Sequence, residues 1–301
     1  MFAIETTALT KRYGNRAAVK NLGMQVREGE IYGFIGRNGA GKSTTLKMLS
    51  GLVRPTEGEV RLFEKPVSDP AVRRRLGVLV ETAGLYPRMS ARQNLMMKTR
   101  CMGLADEGTV DAVLKKTGLV ETGKKKVRHF SMGMKQRLGV AMALLGNPDL
   151  LILDEPINGL DPEGIREFRE LLGELREEGK TILVSSHILG ELSKIATGYG
   201  IIKDGELIEQ ITGEELEEKC RDYFQIRTRD VLRALPVLEE AFPGVLTEVV
   251  AQAIRIYGIE DGAKINRVLV ENGVSVCASG FHRMDLEDYF LDRMEGGSRN
   301  V

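Results

Sequence analysis

A glycine-rich run, Gly36-Arg37-Asn38-Gly39-Ala40-Gly41-Lys42-Ser43-Thr44, carries the most explicit chemistry in the chain. From Gly36 to Ser43 it fills every fixed position of the phosphate-loop pattern. Glycines let the backbone curl so that successive N–H groups converge on a phosphate. The amino terminus of the helix that follows adds free donors and a favourable dipole. Lys42 is placed to reach the β- and γ-phosphates, and the Ser43 hydroxyl suits Mg²⁺. Further along, the apolar run 150–153 ends in Asp154-Glu155-Pro156. Beside a phosphate loop, a first carboxylate at a strand end completes the Mg²⁺ shell, and the next is placed to polarise an attacking water. Together these residues point to hydrolysis of a nucleoside triphosphate.

Such a loop needs a strand before it and a helix after it, and the stretches 31–35 and 44–49 supply both. Further strands are expected over 76–80, 150–153, 181–185 and 200–203. The first two-thirds therefore reads as α/β, a mostly parallel sheet wrapped by helices. Between Arg92 and Gly146 the strand pattern gives way to helix, so a helical subdomain is expected over about 90–146. The charged stretch 213–219 reads as a surface helix leading out. From Tyr223 the pattern runs strand, helix, hairpin, second helix and last strand. That β-α-β-β-α-β order predicts a small α+β ferredoxin-like domain over 223–301, after a first domain of 1–222.

Composition narrows the classes. The 301 residues carry 43 Lys+Arg against 43 Asp+Glu, which argues against a protein built to coat nucleic acid. No apolar run approaches the ~18–20 residues that cross a bilayer. The amino terminus shows no basic-then-apolar leader, so a cytoplasmic chain is expected. Cys101, Cys220 and Cys277 lie far apart, with no disulfide or zinc spacing. Any catalytic histidine must be His129, His187 or His282.

Between the two nucleotide motifs lies Phe130-Ser131-Met132-Gly133-Met134-Lys135-Gln136-Arg137. With these three segments, residues 3–213 resemble the ATP-binding cassette proteins, the ATPase subunits of ABC transporters. Ser131 and Gly133 fall on the serine and second glycine of the family signature, whereas Met132 and Met134 depart from its usual Gly and Gln. The resemblance implies that Ser131 and the N–H groups at the start of the next helix bind the γ-phosphate of ATP held by the opposite subunit. Both departures leave that chemistry intact. It also implies that Tyr13 stacks on adenine, that Asp161 in Gly159-Leu160-Asp161-Pro162 lies in an inter-subunit loop, and that His187 contacts the γ-phosphate. His129 and His282 read as packing or surface residues.

Glu81 stands where the family usually has a Gln that touches Mg²⁺ and relays state to the membrane partner. It adds negative charge beside Asp154 and Glu155. With the signature and the run from Glu155 to Pro162, it makes the chain look like the bacitracin and lantibiotic resistance branch. That likeness implies a head-to-tail dimer of two copies closing on two ATP, with Mg²⁺. It further implies a separate transmembrane permease exporting antimicrobial peptides or drugs, docked over 82–100 at the inner face of the cell membrane. No nucleic-acid partner is expected. The basic run 124–128 reads as a solvated loop or helix end, and the carboxy-terminal domain as regulatory or dimer-stabilising. The alternative is a soluble regulatory cassette ATPase uncoupled from transport. Ribosome-acting relatives carry two cassettes in one chain and DNA-repair relatives a long coiled coil between loop and signature; this chain has neither.

Overall fold

The strand that delivers the phosphate loop is buried along its whole length, as an apolar run without alternation requires when both faces of a sheet are covered. The computed structural model describes residues 1–81, 84–104, 107–186, 189–282 and 286–294. Two long strands, β1 (Phe2–Tyr13) and β2 (Arg16–Arg27), precede this loop strand, β3 (Ile31–Ile35), and helix α1 (Lys42–Leu49). Strands β4 (Glu57–Leu62) and β5 (Lys65–Pro66) and the short α2 (Pro70–Arg73) lead to β6 (Leu76–Leu79). Helices α3 (Ala91–Cys101), α4 (Glu107–Lys116) and α5 (Met132–Leu144) come before β7 (Leu150–Asp154). Next come α6 (Pro162–Glu177), β8 (Thr181–Ser186), α7 (Leu189–Leu192), β9 (Gly198–Lys203) and β10 (Glu206–Thr212).

The expected parallel strands form one six-stranded sheet in the order β10-β9-β3-β8-β7-β6, with only β10 antiparallel to its neighbour. The carboxyl ends of β3, β7 and β8 therefore open on the same edge, where open α/β sheets bind their ligands. The register sets Asp154 opposite Ser185. Tyr32, Phe34, Leu46, Leu49, Ile152 and Leu183 share a core with Ile4, Leu9, Leu22 and Met24 of the first two strands. That packing holds α1, and hence the loop, rigidly in place.

The first two-thirds is more than a parallel sheet. A second, antiparallel sheet in the order β2-β1-β4-β5 adds a layer that the hydrophobic pattern did not announce. Its pairing slips between Thr6 and Leu9 and again before Lys11, with left-handed backbone at Ala8 (φ 50°) and Asn21 (φ 44°). Bulges of this kind break the period-two alternation by which a strand is read. Opposite the first bulge, a Cβ on Gly58 (φ 79°) would lie 2.3 Å from the Ala8 carbonyl oxygen, so only glycine fits.

Contacts divide the chain into two compact units, Met1–Gly213 and Glu214–Val301. The division falls ahead of most of α8 (Gly213–Lys219) rather than at 222, because that helix groups with the carboxy-terminal unit. The second unit continues with β11 (Tyr223–Thr228), α9 (Val231–Ala241), β12 (Thr247–Val250), β13 (Ala253–Tyr257), α10 (Gly262–Glu271), β14 (Val276–His282) and α11 (Leu286–Met294). Its sheet runs β12-β13-β11-β14 with every pair antiparallel. Phe224, Ile226, Ile254 and Ile256 pack beneath Leu238, Ile265 and Leu269 of the two long helices. The final helix, α11, extends the β-α-β-β-α-β plan.

Candidate functional site

The phosphate loop closes on Gly41, which starts α1 with φ 111°. A Cβ there would approach the Ala18 carbonyl oxygen to 2.6 Å, so this turn admits glycine alone. No side chain caps α1, so its first-turn N–H groups remain available to an anion. Lys42, 6% exposed, donates to the Gly36 carbonyl at 2.7 Å and lies 3.3 Å from Glu155 Oε1. A cavity of about 660 Å³ opens over the loop, bordered by Arg37, Asn38, Gly39, Gly41, Lys42, Ser43, Thr44 and Glu155, and also by Tyr13, Arg16, Lys20 and Asp204. The Tyr13 ring is 52% exposed, with the Lys11 ammonium 5.2 Å from its centroid. It offers an aromatic face beside a cationic pocket, the combination a purine nucleotide needs.

The acidic strand end is held by Ser185, which lies in no motif, and by Gln136, which lies in the signature run but was given no role there. Ser185 Oγ donates to Asp154 Oδ1 at 2.6 Å and accepts from the Glu155 N–H at 2.9 Å. The Gln136 amide donates to the Glu155 carbonyl at 3.3 Å, tying the signature helix to the same point. Glu155 itself has φ 47°, a left-handed conformation that a non-glycine residue adopts at a cost on the order of 1 kcal/mol or more. Bonds to both sides of this residue hold the strain in place. A sequence signal existed for Ser185, a hydroxyl at the end of an expected strand, but its partner emerges only from the register of β7 and β8.

Magnesium fits this constellation without a protein cage. Among the described residues no group of three His, Cys, Asp or Glu could hold a metal. The Asp154 Oδ2 has no hydrogen-bond partner there, whereas Oδ1 is fixed by Ser185. One such carboxylate and the Ser43 hydroxyl are hard oxygen donors, and Mg²⁺ takes its remaining ligands from phosphates and water. Glu81 is placed differently from the expectation. Its backbone is left-handed (φ 61°) and its carboxylate pairs with Lys47 of α1, not with the Asp154 and Ser43 group. That hydrogen bond, ahead of the charges of Glu81, Tyr13 and Asp154, raises the Lys47 pKa against a smaller opposing effect of burial. The extra negative charge of the Glu is thus answered by a cation one turn into the loop helix.

The signature residues lie elsewhere. Ser131 caps α5 by accepting from the Met134 N–H at 3.2 Å, which leaves its own O–H able to donate. Met132, 61% exposed, packs so closely on Gly159 (φ 75°) that a Cβ there would lie 2.6 Å from its sulfur. A Cβ on Gly133 would meet Leu160 at 3.1 Å, and Asp161 caps α6 through the Gly164 N–H at 3.1 Å. Signature and 159–162 loop therefore support each other within one chain, and none of Ser131, Gly133 and Asp161 borders the phosphate-loop cavity. A second cavity of about 650 Å³, with Leu85, Pro87, Val127, Met132 and Gln136 in its wall, is bounded by Glu81 on one side and Glu155 on another. His187, like Thr82 and Ala83, lies outside the described residues. No described helix is long and apolar enough to cross a membrane.

Comparison with known proteins gives a consistent picture. The family model described as "ABC transporter" matches residues 19–158. The bacitracin transport ATP-binding protein BcrA of Bacillus licheniformis is 42% identical over 98% of this chain and 98% of its own length. The lantibiotic transport ATP-binding protein SrtF of Streptococcus pyogenes is 44% identical over 70% of this chain and 92% of its own. Among solved structures, the dimeric post-hydrolysis state of an ATP-binding cassette bound to ADP and Pi is 27% identical, covers 69% of this chain and 98% of that one, and superposes with a TM-score of 0.63. The likeness to BcrA runs through both units, whereas the other two match about the length of the first.

Proposed function

The chain belongs to the ATP-binding cassette family, the ATPase subunits of ABC transporters, and on that premise we propose that it spends ATP to drive a separate permease that exports an antimicrobial peptide. The observation that carries the hydrolytic half is the Glu155 carboxylate, held at 3.3 Å from the phosphate-loop ammonium of Lys42 and bordering the same cavity. The export half rests on relatives named for bacitracin and lantibiotic transport.

In this reading the N–H groups of residues 37–44 and the Lys42 ammonium cradle the phosphates, and Tyr13 stacks on the base. Asp154, steadied by Ser185, and the Ser43 hydroxyl hold Mg²⁺, which when bound neutralises charge on the phosphate oxygens. Glu155 orients a water and accepts its proton as the water attacks phosphorus, releasing ADP and phosphate. Positioning and charge neutralisation dominate such a transfer. The donor O–H of Ser131 and the N–H groups at the start of α5 meet the γ-phosphate of a second copy, with Asp161 at the same junction and His187 completing the site. The site is complete only in a head-to-tail dimer, so ATP binding and dimer closure are one event. The cavity between Glu81 and Glu155 is the surface against which the permease would sense that closure, and it would bring the chain to the membrane.

Glu155→Gln tests the assignment. It keeps the shape and removes the base, so turnover falls by about 10²-fold or more while ATP binding persists and an ATP-dependent dimer accumulates on size exclusion. Unchanged hydrolysis together with no ATP-dependent dimer would sink the role of Glu155.

A further inference from the structure

The core cluster of the second unit lies on one face of its sheet, under α9 and α10. Phe224 and Ile226 of β11 and Ile254 and Ile256 of β13 point toward the helices, so their neighbours Gln225, Arg227 and Arg255 point the other way. Gln225 sits opposite Arg255 on one side and Gly280 on the other, and Arg227 sits between Ala253 and Ala278. Long polar side chains flanked by residues with little or no side chain leave a depression. Its volume is about 400 Å³, and Gln225, Arg227, Arg229, Gln252, Arg255 and Cys277 line it.

Three arginines line that depression and no carboxylate does. Arg227 and Arg229 are exposed, and their side chains make no ion pair or hydrogen bond among the described residues. Arg255 lies against the Tyr223 ring, 4.8 Å from its centroid, and pairs through its Nη1 with Glu248 at 3.5 Å. Its Nε is buried with no acceptor among the described residues. A buried donor without a partner is unfavourable, and the two unpaired guanidinium groups of Arg227 and Arg229 in one concavity repel. Both penalties are relieved by a single ligand that brings several acceptor oxygens and more than one negative charge. Guanidinium forks match phosphate oxygens two at a time.

We propose that this depression is a binding site for a small, multiply charged phosphate-bearing anion, separate from the phosphate loop. Glu248 already answers Arg255, so the open charges are those of Arg227 and Arg229; a lone carboxylate balances one of them, whereas a phosphate ester or diphosphate balances both. The site lies wholly within the second unit, so it does not depend on the reading of the ATPase site.

Cys277 makes the test local, since it lines the depression and is exposed, while Cys101, also exposed, belongs to the first unit. The full chain is labelled with N-ethylmaleimide and each cysteine is tracked by peptide mass mapping, with inorganic pyrophosphate as the probe and chloride at equal ionic strength as control. Pyrophosphate is expected to slow Cys277 labelling about fivefold at a concentration of about four dissociation constants, and to leave Cys101 unchanged. Arg227→Gln with Arg229→Gln removes the protection, Arg227→Lys retains part of it, and Lys42→Ala leaves it in place. The proposal is overturned if Cys277 labels at the same rate with pyrophosphate. It is equally overturned if chloride protects as well, if the double variant is still protected, or if Lys42→Ala abolishes protection, which would put the anion in the phosphate loop.

Discussion

Ser185→Ala isolates one hydroxyl on which the acidic strand end depends. Ser185 is fully buried, donates to Asp154 Oδ1 at 2.6 Å and accepts from the Glu155 N–H at 2.9 Å. The Glu155 N–H keeps a second acceptor in the variant, the Ser185 carbonyl at 3.2 Å, because the backbone does not change. The loss therefore falls on Asp154, 5% exposed, whose carboxylate gives up its only hydrogen bond among the described residues. A hydrogen bond to a charged acceptor contributes about 1.5–3 kcal/mol. In a unit of this size each kcal/mol shifts melting by about 2–4 °C, so calorimetry should show a fall of about 3–12 °C. The carboxylate is also left to rotate, so the Mg²⁺ concentration that half-saturates ATP hydrolysis should rise while Mg²⁺-free nucleotide binding changes little. Ser185→Cys, with a weaker donor of similar size, should fall between. If Ser185→Ala melts with the wild type and needs no more Mg²⁺, the serine does not position Asp154.

Lys47→Met should leave the Glu81 carboxylate unanswered near Asp154. Both partners are partly exposed, 28% and 60%, so the stability change stays within about 1 kcal/mol. The Mg²⁺ dependence of hydrolysis shifts instead, and adding Glu81→Gln restores it; a double variant no better than Lys47→Met would exclude charge compensation. Tyr32→Phe should raise the melting temperature. The Tyr32 hydroxyl is buried with no partner among the described residues, burial pushes its pKa up, and removing an unsatisfied group relieves about 1–3 kcal/mol of desolvation; a lower melting point would show a partner exists. In the second unit, burial first and then the hydrogen bond to Glu248 push the Tyr257 phenol from 10.0 up to about 12. Its contribution is complete below pH 10.0 and is lost as pH rises through about 12, since the unfolded chain gives up the proton first. Phenolate absorbance and urea midpoints across that window should show this decline, and Tyr257→Phe should flatten it.

Legibility in the sequence depended on whether a residue's role is set by its neighbours along the chain or by its neighbours in the sheet. The phosphate loop was legible because Gly41 and Lys42 act within one turn of chain, where the need for φ 111° and a helix start selects residue types locally. The strand ending at Asp154 was legible for the same reason, being an unbroken apolar run. The antiparallel layer was not, because the bulges near Ala8 and Asn21 scramble the alternation that would reveal β1 and β2, and the glycine that accommodates one bulge, Gly58, lies on a different strand. Ser185 was missed because it carries no motif, and Gln136, though inside the signature run, was given no role of its own. Their partners, Asp154 and the Glu155 carbonyl, lie 31 and 19 positions away and meet them only through the β7–β8 register and the docking of α5. Glu81 shows the same limit from the other side. Its departure from Gln was visible in the sequence and suggested crowding of negative charge at the metal. The compensating Lys47 sits on α1, 34 positions earlier, where any reading confined to the loop would count it as an ordinary surface lysine. A substitution that adds a charge to a phosphate site is therefore best judged against the first turns of the helix after the loop, since that helix faces the site by construction.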